Sequence, residues 1–197
     1  MPTAERLPRG RHGLTRDEVE QDQRLRLLVG MAEAMHEKGY VGTPVADVLR
    51  HAGVSRETFY RLYPTKLHCF LDAFDVIADV LVVELALEGP GSPLERFDAA
   101  LGRYLDTLAE HPAYAKLFLV EVHAAGPEAM AKRSALQQRL VDALADELGG
   151  DAFTWQVLVA AIGAMVTGPL VAGDLDALRA LHDPLVEHAR RLLSTQG

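Results

Sequence analysis

A single cysteine, Cys69, stands in the 197 residues, and aromatic side chains make up only 6% of them. One cysteine excludes an internal disulfide and fits a reducing compartment; flanked by Leu67, Phe70 and Leu71, it reads as a small core residue. The chain also lacks the short motifs of common enzymes. It has no Gly-rich phosphate loop, no Gly-x-Ser-x-Gly elbow, no His-Glu-x-x-His and no Cys-x-x-Cys pair. No enzymatic activity, catalytic residue or cofactor is therefore expected. Glu121 and His123 stand two apart, which does not place them on one helix face, and His182, Asp183, Glu187 and His188 suit the capping and solvation of a last helix, so no metal site is expected either. There is no period-two strand pattern and no internal repeat, which leaves an all-α chain. The first residues are polar and arginine-bearing, without the apolar run of a signal peptide, and a cytoplasmic location follows as the expectation.

One uncharged run does stand out, from Ala152 to Gly173. Its length approaches that of a membrane span, but it holds Thr154, Gln156, Thr167, Pro169 and three glycines and has no basic flank. A helix buried on nearly all sides fits better than a membrane segment, as in a core shared between two subunits.

Helical blocks separated by breakers account for the rest. The first is expected from about Asp17 to Lys38, with Leu25, Leu28, Val29, Ala32 and Met35 on one face. A fourth helix runs from Lys66 to Glu88, and Gly89-Pro90-Gly91 breaks before Ser92, Pro93 and Glu95 start the next, which reaches Glu110. Further helices are expected over 113–125, 127–148, 151–172 and a last one through Arg191, with Pro184 as a kink or fresh start.

Between the first and fourth blocks lies the most informative stretch, from Thr43 to Lys66. Val45, Val48, Leu49 and Ala52 form one apolar stripe, Thr43 with Pro44 supplies a start, and Gly53 supplies a left-handed exit that other residues enter only at a cost. Ser55 then caps a second short helix in which Val54, Phe59 and Leu62 face inward. Arg56, Glu57, Thr58, Tyr60 and Arg61 are left for solvent or a groove. Two short helices about a four-residue turn make a helix-turn-helix, and the outward residues suit DNA: Arg forks onto guanine, Thr meets a thymine methyl or phosphate, and Tyr and Lys reach phosphate oxygens.

These residues resemble the TetR family of bacterial transcriptional regulators. The resemblance rests on Gly39-Tyr40, Thr43, Ala52-Gly53-Val54-Ser55, Thr58-Phe59-Tyr60, Tyr63 and Lys66. It implies an N-terminal three-helix helix-turn-helix DNA-binding domain joined to a larger C-terminal helical ligand-binding and dimerisation domain, divided as a basic arm over 1–16, a DNA-binding domain over 17–66 and a C-terminal domain over 67–197. It further implies Thr43 at a phosphate, Arg56 and Thr58 near base edges, and Tyr60 and Lys66 clamping the backbone. The expected DNA-contacting set is Thr43, Ser55, Arg56, Glu57, Thr58, Tyr60, Arg61, Tyr63 and Lys66. Three positions depart from the family's habit: Leu49 replaces a small residue, Glu57 a glycine or other small residue, and Leu62 a histidine.

The net charge of −8 is unevenly spread. Residues 1–66 carry eleven basic and nine acidic side chains, a net of +2, which leaves −10 for the remainder. An acidic body holds DNA away from every face but the intended one. In that body the resemblance implies a cavity for a small, apolar effector, with Phe97, Tyr104, Leu108, Phe118, Val122, His123, Met130 and Trp155 as its expected lining. It also implies a homodimer through the last two long helices, with Ala160, Ala161, Gly163 and Ala164 allowing close approach. A double-stranded DNA operator, read as a palindrome by two subunits, and release by the effector complete the expectation, with the arm's Arg6, Arg9 and Arg11 available to an adjacent minor groove.

Overall fold

The computed structural model describes residues 15–87 and 89–194, and among them every regular element is helical. The arm residues Arg6, Arg9 and Arg11 lie outside the described residues. Helix α1 spans Arg16–Gly42, followed by α2 (Val45–Ala52), α3 (Arg56–Leu62) and α4 (Lys66–Glu84). The C-terminal body adds α5 (Pro93–Glu110), α6 (Pro112–Lys116), a π-helical turn over Leu117–Glu121, α7 (Val122–Ala125), α8 (Pro127–Leu148), α9 (Ala152–Ala172), α10 (Leu175–Arg179) and α11 (His182–Ser194).

Local chemistry explains most of these boundaries. Thr15 accepts from the Glu18 amide while the Glu18 carboxylate accepts from the Thr15 amide, and Ser92 and Glu95 repeat the same reciprocal cap at α5. Gly53, with φ +62°, closes α2, and Ser55 caps α3 through the Thr58 amide. Asp151 caps α9 through the Thr154 amide. The helix breaks thus fall where small polar residues and glycine place them.

Elsewhere the boundaries depart from the sequence expectation. α1 continues past Lys38, but Gly39 interrupts it at φ +68°, ψ 171°, and the chain turns toward α2 there. Thr43 does not cap α2: its hydroxyl lies 2.7 Å from the Gly39 carbonyl and 3.1 Å from that of Ala34, and it closes α1 instead. α4 stops at Glu84, short of the expected Glu88, and the 113–125 block contains a π-helical turn that no periodicity signals. The terminal block is two helices, with Pro184 inside the first turn of α11, where its missing amide hydrogen costs nothing.

The N-terminal core forms where α1 meets α2, α3 and α4. Leu27, Met31 and Met35 of α1 are fully enclosed with Val48, Phe59, Phe70 and Phe74. The crossing of α1 and α2 turns on Gly30. A Cβ there would lie 2.8 Å from the Ala52 amide nitrogen and 3.0 Å from the Val48 carbonyl, so only glycine permits this approach. The small residue that brings the two helices together is therefore on α1, which is why Leu49 on α2 is tolerated. Behind this unit α8 packs on α9, and α5 packs on α10 and α11.

Candidate nucleic-acid interface and ligand cavity

α3 turns a short, polar face outward. Ser55, Arg56, Glu57 and Arg61 are exposed and Tyr60 is 48% exposed, while Phe59 on the opposite side is fully buried and holds the helix to the core. The Ser55 and Thr58 hydroxyls lie 2.9 Å apart, which fixes the first turn. The Tyr60 ring stands edge-on to Phe59, their centres 5.3 Å apart, and is half open to solvent. Arg61 is exposed but spent, with its two terminal nitrogens donating to Glu20 (2.7 Å) and Gln23 (2.8 Å) of α1. That pairing, through its hydrogen bond first, holds the Glu20 carboxyl below its ordinary value.

Three expected DNA contacts are corrected by their surroundings. Thr43 is fully buried and its hydroxyl is turned onto α1 carbonyls, so it cannot meet a phosphate. Tyr63 is buried too, and its hydroxyl donates to Asp72 of α4; burial, and then this carboxylate, push its phenol far above the ordinary range. Lys66 donates to the carbonyls of Tyr40 (2.6 Å) and Thr43 (2.9 Å), and its ammonium lies 4.0 Å from the centre of the Tyr40 ring. Burial lowers its pKa. Both residues hold α4 to the helix-turn-helix. Periodicity does not show this, because Asp72 and the carbonyls of Tyr40 and Thr43 approach only in three dimensions.

The Tyr40 peptide is gripped from both sides. While Lys66 holds its carbonyl, Glu121 of the π-helical turn accepts from its amide at 2.5 Å. The Glu121 carboxylate also lies 3.2 Å from where a Cβ would stand at Gly39. The bend of α1 is thus held by a residue of the C-terminal body.

That body encloses a cavity of about 390 Å³, within the range of small-molecule sites. Leu81 and Leu85, Phe97, Leu101 and Tyr104 of α5, Phe118 and Leu119 of the π-helical turn, and Leu136, Leu140 and Leu144 of α8 give it an apolar wall. Of the expected lining, Phe97, Tyr104 and Phe118 are there. Leu108 and Val122 are instead fully buried core, Met130 packs against that core, and Trp155 donates from its indole to the Gly149 carbonyl (2.7 Å). His123 is exposed and accepts from Arg133 at 2.8 Å. Sequence reasoning missed Arg133 and Gln137, which do line the cavity. A signal was available: both fall on the stripe formed by Ala129, Leu136, Leu140 and Leu144 of α8, where an apolar residue is expected.

α9 contributes a second open surface. Its one side packs through Trp155, Leu158, Val166 and Leu170, yet Phe153 (72% exposed), Val157, Ala160, Ala164 and Val171 (58% exposed) form a continuous apolar stripe outward. The expectation of a helix enclosed on nearly all sides is therefore met on only one side within a single chain. By length and composition alone this helix would also cross a membrane.

Residues 27–73 match the family model described as bacterial regulatory proteins, tetR family. Comparison with curated protein sequences gives no match. Among solved structures, the fold is similar to a TetR-like transcriptional regulator from Rhodococcus sp. RHA1, with TM-score 0.66 and 18% identity over 94% of this chain and 99% of that one. It is also similar to the transcriptional regulator FadR from Bacillus subtilis, solved in complex with stearoyl-CoA, with TM-score 0.70 and 16% identity over 83% of this chain and 95% of that one. A third is the TetR family transcriptional regulator PfmR from Thermus thermophilus, with TM-score 0.63 and 22% identity over 82% and 97% of the two chains.

Proposed function

The chain belongs, through its N-terminal domain, to the TetR family of bacterial transcriptional regulators, and from that premise we propose that it is a cytoplasmic, ligand-responsive repressor that reads a palindromic operator as a homodimer. The observation that carries this reading is the pair of open faces: a polar one on α3 and an apolar one on α9. In this reading Arg56 and Thr58 meet base edges in the major groove, and Tyr60, with Ser55 at the helix start, meets phosphates. Glu57 accepts from a cytosine amine, and Arg61 remains anchored on α1. Thr43, Tyr63 and Lys66 act from behind, by fixing the angle of α3. The arm over 1–16 adds its arginines at an adjacent minor groove, the DNA-binding domain occupies 17–66, and the C-terminal domain occupies 67–197.

The stripe of α9 supports dimerisation, because exposed apolar side chains in a row are stabilised by exclusion of water and a two-fold partner presents the same row. α11 stands beside it in the proposed four-helix interface. Two α3 helices then meet successive major grooves about one helical turn apart, as two-fold symmetry requires.

An apolar effector in the cavity touches Phe118 and Leu119, three and two residues before Glu121. Displacement of that turn alters the grip on the Tyr40 amide at the bend of α1, and so the placement of α2 and α3. The ligand favours the displaced arrangement, the operator the other, and each lowers the affinity for the other by the same factor. Lys66→Ala is not a clean probe of DNA contact, since it also releases the Tyr40 and Thr43 carbonyls.

The test is selection of bound duplexes from a random DNA pool by the purified protein at two salt concentrations. Enrichment of a two-fold symmetric site, weakened by salt through the phosphate contacts, is expected. A folded dimer that enriches no sequence would overturn this reading in favour of a helical ligand or partner sensor without sequence-specific DNA binding, for which Glu57 and Leu62 of α3 are the motivating departures.

A further inference from the structure

Among the described residues, no carboxylate pairs with Arg133. It sits on the wall of the apolar cavity, and none of the ion pairs among the described residues involves it, whereas Arg96 pairs with Glu147, Arg103 with Glu84 and Arg179 with Asp106; Arg139 of the same helix also lines the cavity without an ion pair but is exposed, while Arg133 is half-buried. Its Nη1 is fully used. One hydrogen bond runs to the Leu119 carbonyl at 3.1 Å and one to His123 Nε2 at 2.8 Å, which orients the guanidinium and holds its plane.

The other edge, Nε and Nη2, has no protein acceptor among the described residues. Nη2 lies against Gly163 of α9, where a Cβ would come within 3.4 Å of it, and the Gln137 amide nitrogen lies 4.0 Å from the same point. Gly163 therefore leaves open space beside the free edge. Tyr104 lines the same cavity, and burial raises the pKa of its phenol, which therefore stays neutral beside the guanidinium. Burial opposes the charge on Arg133, and among the described residues its acceptors are the neutral Leu119 carbonyl and His123 Nε2, with no carboxylate.

We propose that the effector is a hydrophobic anion with a planar acidic head, of the carboxylate class, whose two oxygens accept from the Nε and Nη2 edge of Arg133 while its apolar body fills the cavity between Leu81, Phe97, Phe118 and Leu140. An Nε–Nη2 edge matches a carboxylate in two parallel hydrogen bonds, a geometry lysine does not provide. Gln137 Nε2 donates to the same head from one turn further along α8. A neutral apolar ligand would cover this half-buried cation without an acceptor, which is why the head should be charged. This inference rests on the cavity being the effector site, as proposed above.

The experiment measures binding of decanoate and of decanol to the full-length protein by calorimetry, in the wild type and in Arg133→Met and Arg133→Lys. The wild type is expected to bind decanoate at least roughly tenfold more tightly than decanol, as a charge-assisted pair of hydrogen bonds supplies. Arg133→Met should abolish that preference while retaining decanol, and Arg133→Lys should keep only part of it. Because Arg133 also holds the Leu119 carbonyl, a Gln137→Leu variant with the arginine intact is measured alongside and should lower decanoate affinity alone. Equal binding of the two probes, or a preference unaffected by Arg133→Met, would overturn the anionic head while leaving the apolar cavity site standing. Binding of neither probe would instead contradict the cavity as an effector site.

Discussion

The exposed faces of α3 and α9 differ in what surrounds them, and the difference shows which kind of partner each suits. On α3 the outward groups are an arginine, a glutamate, hydroxyls and a tyrosine, on a helix of seven residues held by one buried phenylalanine and a local cap. Such a face loses little by remaining wet, and it offers donors in a fixed geometry. On α9 the outward groups are Phe153, Val157, Ala160, Ala164 and Val171, along a helix of 21 residues with no charge. That face is stable in water only at a cost, so it calls for a dry partner. The first face is specified by hydrogen bonds; the second by shape.

Charge placed on α9 should have the largest effect. A Val157→Glu, Ala160→Glu double variant would set like charges against their copies across a two-fold axis, at a cost of more than about 3 kcal/mol per interface. Sedimentation is expected to show a monomer, and operator affinity should fall with it although α3 is untouched. Next is the frame that aims α3: Gly30→Val forces a side chain against the backbone of Ala52 and should destabilise the fold by about 1–3 kcal/mol, read as a lowered midpoint in chemical unfolding.

Glu121→Ala joins the two regions rather than altering either face. It removes the carboxylate that accepts from the Tyr40 amide, and loss of a charged acceptor in a half-buried setting should cost about 1–3 kcal/mol of stability. The more telling outcome is functional: effector binding should persist while its effect on DNA affinity shrinks, in paired titrations with and without ligand.

How far these features were legible in the sequence follows the range of the forces. The Gly53 turn, the Ser55 cap, the Ser92–Glu95 cap and the inward Phe59 depend on residues within four positions, and each was readable directly. Tyr63 and Lys66 were not, because their partners lie on other elements; Thr43 was not either, although one of its partners, Gly39, is four positions away, because a Thr before Pro suits a cap of the next helix as well as a close of the last, so an exposed contact and a buried strut look alike along the chain. The cavity divides the same way. Phe97, Tyr104 and Phe118 were found as aromatics at helical spacing, but the same rule selected Trp155, whose indole is turned to the Gly149 carbonyl. Gly30 gave no sign, because the value of a missing Cβ depends on what faces it.

The smallest expected effect concerns pH. At the α5–α11 contact, burial of His182 opposes its charge, but Asp183, together with the carbonyl and carboxylate of Asp98, outweighs burial and raises its pKa. Its stabilisation is therefore complete below the ordinary histidine range and is lost as pH rises through the raised value. Thermal midpoints followed across that window should fall slightly in the wild type and stay level in His182→Asn.

The central claim is that the open face of α3 reads DNA for a two-fold dimer. The most direct measurement is the affinity and stoichiometry of the protein on its selected duplex, compared between wild type and Arg56→Ala with the unfolding midpoint checked for both. The account expects two chains or a multiple of two per duplex, a loss of about 1–3 kcal/mol in Arg56→Ala, and relaxed preference at one base pair in each half-site. Unchanged affinity and unchanged sequence preference in a folded Arg56→Ala protein would contradict it.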